Sequence, residues 1–301
     1  MLLPIAFDPC YALPLPEGHR FPMQKYELLP TQLRLEGTAQ ADDFFKPQKA
    51  SRELVQRVHY PAYVEQLIHQ NLDRAEIRKI GFPLSEALIE REFIIAGGTV
   101  QGCEMALETG IALNTAGGTH HAYAHRGEAF CLLNDQAIAA QYLLDRGWAK
   151  QILIVDLDVH QGNGTAAIFQ DQPQVFTFSM HGAKNFPFKK EKSDLDLALE
   201  DGTTTSDYLE LLANTLPKLI EKLQPDFVFY LSGVDVLATD KLGRLALTIA
   251  GCKERDAFVF EVCKQNKIPV QCSMGGGYSI DITLIVEAHA NTFRLAKEIF
   301  T

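Results

Sequence analysis

Gln151-Ile152-Leu153-Ile154-Val155-Asp156-Leu157-Asp158-Val159-His160-Gln161-Gly162-Asn163-Gly164 begins as an apolar run and ends in acids, a histidine and glycines. A short apolar run with no polar alternation is the pattern of a strand buried on both faces. Residues two apart on an extended chain point the same way and lie about 6.6 Å apart along it. Asp158 and His160 can therefore converge on one cation, since zinc takes carboxylate and imidazole at roughly 2.0–2.2 Å. Gly162 and Gly164 let the backbone turn sharply beside them. The plainer alternative is a strand-end Asp capping a loop, with His160 hydrogen-bonded nearby.

Outward from this stretch, Ile111–Leu113, Val175–Ser179, Phe227–Leu231 and Ile268–Cys272 read as further strands. Helical patterns at Asp135–Arg146, Tyr208–Leu223, Cys252–Gln265 and Asp281–Phe300 alternate with them. Such alternation predicts an α/β fold, a parallel sheet covered by helices on both faces. The first 110 residues are richer in helix signals, at Ser51–Val58, Pro61–Gln70 and Ser85–Glu108. Phe186–Thr205 mixes lysines with acids and reads as a solvated loop. With no linker, repeat or low-complexity tract, a single domain over residues 1–301 is expected.

Composition narrows the function classes. A net charge of −10 argues against nucleic-acid binding, which needs a basic footprint. An acidic surface favours the approach of cationic peptides or polyamines, although acidity for solubility alone is the plainer reading. Met1–Asp8 has no basic start, and its apolar run is broken by Pro4 and Asp8, unlike a signal peptide. No apolar stretch approaches membrane-spanning length, so no membrane partner is expected. The six cysteines form no C-x-x-C pair, which points to reduced thiols and a cytoplasmic setting.

In open α/β sheets, ligands sit beyond the carboxyl ends of the strands, and the remaining polar motifs fall there. Asp235 follows Leu231-Ser232-Gly233-Val234. Alone it reads as a turn or cap residue, but a catalytic zinc uses three protein ligands and keeps one position open. Gly117-Gly118-Thr119-His120-His121 places two imidazoles after paired glycines. Neutral imidazole can take a proton from water and later return one to a leaving amine. Met274-Gly275-Gly276-Gly277-Tyr278 sets a phenol behind a glycine run, where its hydroxyl can donate to a developing oxyanion. Phe130 and Phe186 are core aromatics by default.

Taken in order, these motifs resemble the zinc-dependent histone deacetylase family within the arginase/deacetylase fold, over nearly the whole chain. Gln161-Gly162-Asn163-Gly164, Val58-His59-Tyr60-Pro61-Ala62-Tyr63 and Gly97-Gly98-Thr99 resemble the class IV branch and its bacterial relatives. The resemblance implies a sheet of about eight strands. It implies Asp158, His160 and Asp235 as zinc ligands, with ferrous iron a possible occupant in the cell. His120 and His121 match the tandem catalytic histidines, Tyr278 the oxyanion donor, and Asp156 and Asn163 the partners of the two histidines. Asp156, with the carbonyls of Ser179 and Met180, matches a potassium site. Phe130 and Phe186 match the aromatics flanking an acyl-lysine tunnel, with Ala129 and Gly276 as further substrate neighbours. The implied substrates are acylated lysine in proteins or, alternatively, acylated polyamines.

Two residues depart from the commoner pattern. Asn163 stands where class I members carry Asp, so an amide orients His121 without a carboxylate's charge. Ala129 stands where many relatives have Gly. A binuclear manganese ureohydrolase shares the fold, but its extra carboxylates are replaced here by Gln161, Gly162, Val236 and Leu237. A non-catalytic acyl-lysine binder is a third reading, which both histidines and Tyr278 argue against.

Overall fold

The predicted strand at Ile152–Asp156 is the fourth of eight in one parallel sheet, described here over residues 2–301 of a computed structural model. The strands are β1 (Ile5–Ala6), β2 (Phe44–Phe45), β3 (Ile111–Asn114), β4 (Ile152–Asp156), β5 (Val175–Gly182), β6 (Leu195–Leu199), β7 (Phe227–Gly233) and β8 (Val270–Gly275). Their spatial order is β2-β1-β3-β8-β7-β4-β5-β6, and every pairing is parallel. β3, β4, β7 and β8 are buried at every residue, which fits the nearly unbroken apolar runs of β4 and β7, whereas β8 alternates buried Gln271 and Ser273 with apolar residues.

Helices cover both faces. On one, α5 (Glu86–Thr109) packs on β3 and β8 and against α6 (Asp135–Asp145). On the other, α10 (Ile282–Phe300) packs on β3 and is flanked by α1 (Lys25–Leu35) and α9 (Ile249–Gln265), with α8 (Thr205–Leu223) beyond. Capping explains several boundaries. The Ser85 hydroxyl accepts from Leu88 N and Gly110 closes the helix in a left-handed turn, so α5 runs between them. Thr204 caps α8 in the same way, which starts that helix earlier than its apolar periodicity suggests.

Phe186–Thr205 is a correction, because it contains β6 rather than loop alone. Leu195, Leu197 and Leu199 alternate with Asp196 and Ala198, the period-two signal of an edge strand with one face against the protein. β1 and β2 escaped the sequence because two-residue strands carry no periodicity. α2 (Arg52–Val55) and α3 (Pro61–Ile68) fall within predicted helices, whereas α1, α4 (Arg74–Ile80) and α7 (Asn163–Phe169) are likewise additions to the sequence reading. Among the described residues, no helix is long and apolar enough to cross a membrane, and all six cysteines are free.

Candidate active site

Four adjacent central strands, β3, β8, β7 and β4, deliver the polar motifs to one end of the sheet. They line a single cavity of about 610 Å³. Its floor holds Asp158, His160 and Asp235, all buried, whose ligand-capable atoms lie within 4.8 Å of one another. His160 Nδ1 is 3.0 Å from Asp158 Oδ1 and 3.2 Å from Asp235 Oδ2. Ligands about 2.05 Å from a tetrahedral cation stand roughly 3.3 Å apart, so these separations suit a bound ion. Apart from the 3.2 Å approach of His160, which is not a formed hydrogen bond, Asp235 Oδ2 is buried with no partner, an acceptor of the kind a cation relieves. Burial opposes charge on His160, but the adjoining Asp158 and Asp235 carboxylates push its pKa to about 10. The two carboxylates thus draw positive charge to this point. The residues present fit a divalent cation held by two oxygens and one imidazole nitrogen.

Two structural devices hold this floor, neither read from the sequence. Arg255 of α9 is fully buried and donates from Nη1 to the carbonyls of Leu157 (3.1 Å) and Gly233 (2.6 Å). It clamps β4 and β7 just before they release Asp158 and Asp235, and Asp256 balances its charge. Gly276 has a φ of +59°, and a Cβ there would lie 2.2 Å from Asp235 Oδ2. The glycine run therefore lets the Tyr278 loop pass directly over Asp235. Lys25, the first residue of α1, donates from Nζ to the Gly276 carbonyl at 2.5 Å. Burial lowers its pKa to about 8.

The histidines enter from β3. Gly117 and Gly118 take φ values of +89° and +63°, turning the chain into the cavity. Asp135 then anchors Thr119, accepting from its N–H (2.9 Å) and its hydroxyl (2.8 Å) on the same oxygen. Its other oxygen accepts from Thr99 and Ser273, tying α5 and β8 to the same hub. Beyond it, His120 Nδ1 meets Asp156 Oδ2 at 2.7 Å, and His121 Nδ1 meets Asn163 Oδ1 at 2.6 Å. Burial lowers the pKa of His120, but the Asp156 charge and hydrogen bond outweigh it and leave it raised. Burial, joined by the charges of His120 and His160, holds His121 well below its ordinary value despite Asn163.

The tautomer of His121 follows from its neighbours. Asn163 Nδ2 donates to Glu128 Oε2 (3.1 Å) and to the Tyr123 hydroxyl (3.0 Å). Because a carboxylate only accepts, the amide nitrogen must face Glu128, and Oδ1 must face His121. His121 Nδ1 therefore carries the proton, leaving Nε2 as the free acceptor. Glu128 and Tyr123 were not singled out in the sequence, since nothing in spacing alone links them to Asn163.

The walls are aromatic. Phe186 meets His121 edge-on at 5.0 Å, and Phe130 stands 6.1 Å from the Tyr278 ring. Lys190 Nζ staples the Phe186 loop through the carbonyls of Ala183, Asn185 and Pro187. Ala129 and Phe130 both adopt positive φ, at +46° and +67°, each costing roughly 1–2 kcal/mol without a glycine. Their N–H groups donate to the Lys79 and Ile80 carbonyls, which hold the bend. Burial keeps the Tyr278 phenol protonated, and its backbone N–H is fixed by Asp240 at 2.6 Å. Asp156 pairs across the sheet with Ser179, so the potassium candidates Asp156, Ser179 and Met180 are neighbours. Gln161 is turned to Glu191 and Asp196, and Val236 and Leu237 are core residues, so none supplies a second-cation ligand.

A parallel sheet with two carboxylates, one imidazole and a histidine pair at its carboxyl end defines a hydrolase of the arginase/deacetylase class. The histone deacetylase domain matches residues 19–293, and the chain belongs to the histone deacetylase family, whose members are typically zinc-dependent. An uncharacterised protein of Picosynechococcus sp. is 45% identical over 300 residues, covering 100% of both chains. Histone deacetylase 2 of Arabidopsis thaliana is 35% identical over 185 residues, 60% of this chain and 48% of that longer one. The crystal structure of a histone deacetylase homologue from Aquifex aeolicus has the same fold, with a TM-score of 0.87 and 24% identity. That likeness covers 99% of this chain and 84% of the other.

Proposed function

We propose that the chain hydrolyses the side-chain amide of acyl-lysine in proteins, with zinc, or ferrous iron in the cell, held by Asp158, His160 and Asp235. The observation that carries this reading is the convergence of that triplet, His120, His121 and Tyr278 in one cavity walled by Phe130 and Phe186. A cation in the triplet would supply Lewis-acid polarisation of an amide carbonyl and acidify a water. Phe130 and Phe186 confine the alkyl stem of the substrate. His121 Nε2 takes a proton from the attacking water as oxygen adds to the carbonyl carbon. His120, charged against Asp156, and the Tyr278 O–H stabilise the oxyanion. His121 then returns its proton to the departing amine as the C–N bond breaks, giving carboxylate and free amine.

Potassium bound by Asp156, Ser179 and Met180 belongs to the same reading. So do a cytoplasmic setting, with which six free thiols agree, and one catalytic domain across the chain. The test is Tyr278→Phe in metal-loaded protein, assayed on an acetyl-lysine peptide. Metal content stays near wild type while kcat falls by about 10²–10³, the loss of one oxyanion donor. Near-normal turnover in that variant, or no turnover of acyl-lysine peptides by the native protein, overturns the proposal.

A further inference from the structure

The chain carries 38 acidic against 28 basic side chains, yet the opening of its cavity is lined with cations. On the Phe130 side, Arg20 lies 4.8 Å above the Phe130 ring, and Lys79 holds the Ala129 N–H through its own carbonyl. On the Phe186 side stand Lys184, Lys241 and Arg244. A bond from Asn185 Nδ2 to the Leu242 carbonyl, 2.7 Å long, couples the two loops that carry these three. All five side chains are exposed. Lys184 and Arg244 are partly balanced by Glu200 and Asp201 at 3.1–3.8 Å. Arg20, Lys79 and Lys241 form no ion pair among the described residues. The opposing carboxylates in the lining are few. Asp158 and Asp235 lie buried on the floor, and Glu128 is tied to Asn163.

Like charges on both lips of a low-dielectric opening add to a local positive potential, while exposed acids farther away than a Debye length of about 8 Å are largely screened from it. A polyamine would carry its free ammonium groups to these lips as its acylated end reached the floor. A lysine- and arginine-rich segment would do the same with its flanks. Both meet like charge, which is selection by repulsion. Glutamate or aspartate on either side of an acylated lysine meets Arg20, Lys79 and Lys241 instead.

We propose that this mouth selects acyl-lysine within acidic segments of protein and disfavours polyamines and basic tails. The inference rests on the acyl-lysine reading above and adds its sequence context. Its test uses three labelled acetyl-lysine peptides of equal length, flanked by Glu, Gln or Lys, together with N-acetylspermidine. Metal-loaded protein is compared with the charge-reversed variant Arg20→Glu/Lys79→Glu/Lys241→Glu. Turnover is read as kcat/KM, and binding separately by fluorescence anisotropy. The Glu-flanked peptide is expected to lead the Lys-flanked one by about tenfold at low salt, the sum of three exposed charge pairs. That lead shrinks to about twofold in roughly 0.5 M salt, and the variant inverts it. Equal binding of all three peptides, or preference for the Lys-flanked peptide or the polyamine, overturns the inference. Loss of all peptide turnover while the Glu-flanked peptide still binds tightest sinks the acyl-lysine reading and leaves the anion-selective mouth standing.

Discussion

His120 and His121 are consecutive residues with ring centroids 4.1 Å apart, but they are held by opposite chemistry. His120 leans on the Asp156 carboxylate, which favours its charged form. His121 leans on the Asn163 amide, which orients the ring but adds no charge to offset burial. One site therefore presents an imidazole disposed to hold a proton beside one disposed to lack it. Division of labour follows from the partners, since the rings are chemically identical. In the proposed reaction, exchanging a proton with substrate falls to His121, and electrostatic support falls to His120.

Removing the rings gives the largest test of that division. His121→Ala is expected to lower kcat/KM by about 10³–10⁴, the upper range for a general acid–base group. His120→Ala is expected to cost less, about 10². Both variants should bind metal, measured by elemental analysis, because neither ring is in the triplet. Equal losses would mean the two histidines share one role.

Exchanging the partners gives smaller, directional effects. Asp156→Asn withdraws the charge that raises His120, so His120 loses its proton at lower pH. The basic limb of the pH–rate profile then moves down and kcat falls by about 10–100-fold. Asn163→Asp does the reverse to His121. Its pKa rises, it stays protonated to higher pH, and the acidic limb moves up by about one unit. Activity at pH 6 falls more than activity at pH 8. Limbs that superimpose on wild type in both variants would break the comparison.

Much of this site was legible in the sequence, for a physical reason. Asp158, His160, the histidine pair, Asp235 and Tyr278 each sit within a few residues of a buried strand's end, and strand ends are readable from apolar runs. What holds them was not. Arg255 lies on a helix whose pattern does not mark it out and Lys25 on one the sequence reading did not find, and only the fold brings them to Leu157, Gly233 and Gly276. Asp135 reads as the first residue of a helix but acts through its side chain on Thr119, sixteen residues upstream. β6 is the opposite case, because its leucine alternation was visible and was outweighed by the charges around it.

The finest distinction concerns Glu128, which reaches His121 only through the Asn163 amide. A carboxylate at that remove either polarises the amide or merely fixes which way it points. Glu128→Gln keeps an acceptor oxygen but deletes the charge, whereas Glu128→Ala deletes both and frees the amide to rotate. If polarisation passes through the amide, Glu128→Gln lowers the pKa of His121 further. Its acidic limb then shifts down by a few tenths of a unit, opposite in sign to Asn163→Asp. If only orientation matters, Glu128→Gln is silent. Glu128→Ala then lowers kcat about threefold to tenfold with both limbs unmoved, since part of the population presents an N–H to His121 Nδ1 in place of its acceptor. Polarisation is the expected result, because Asn163 Nδ2 to Glu128 is a charge-assisted bond that draws electron density toward Oδ1.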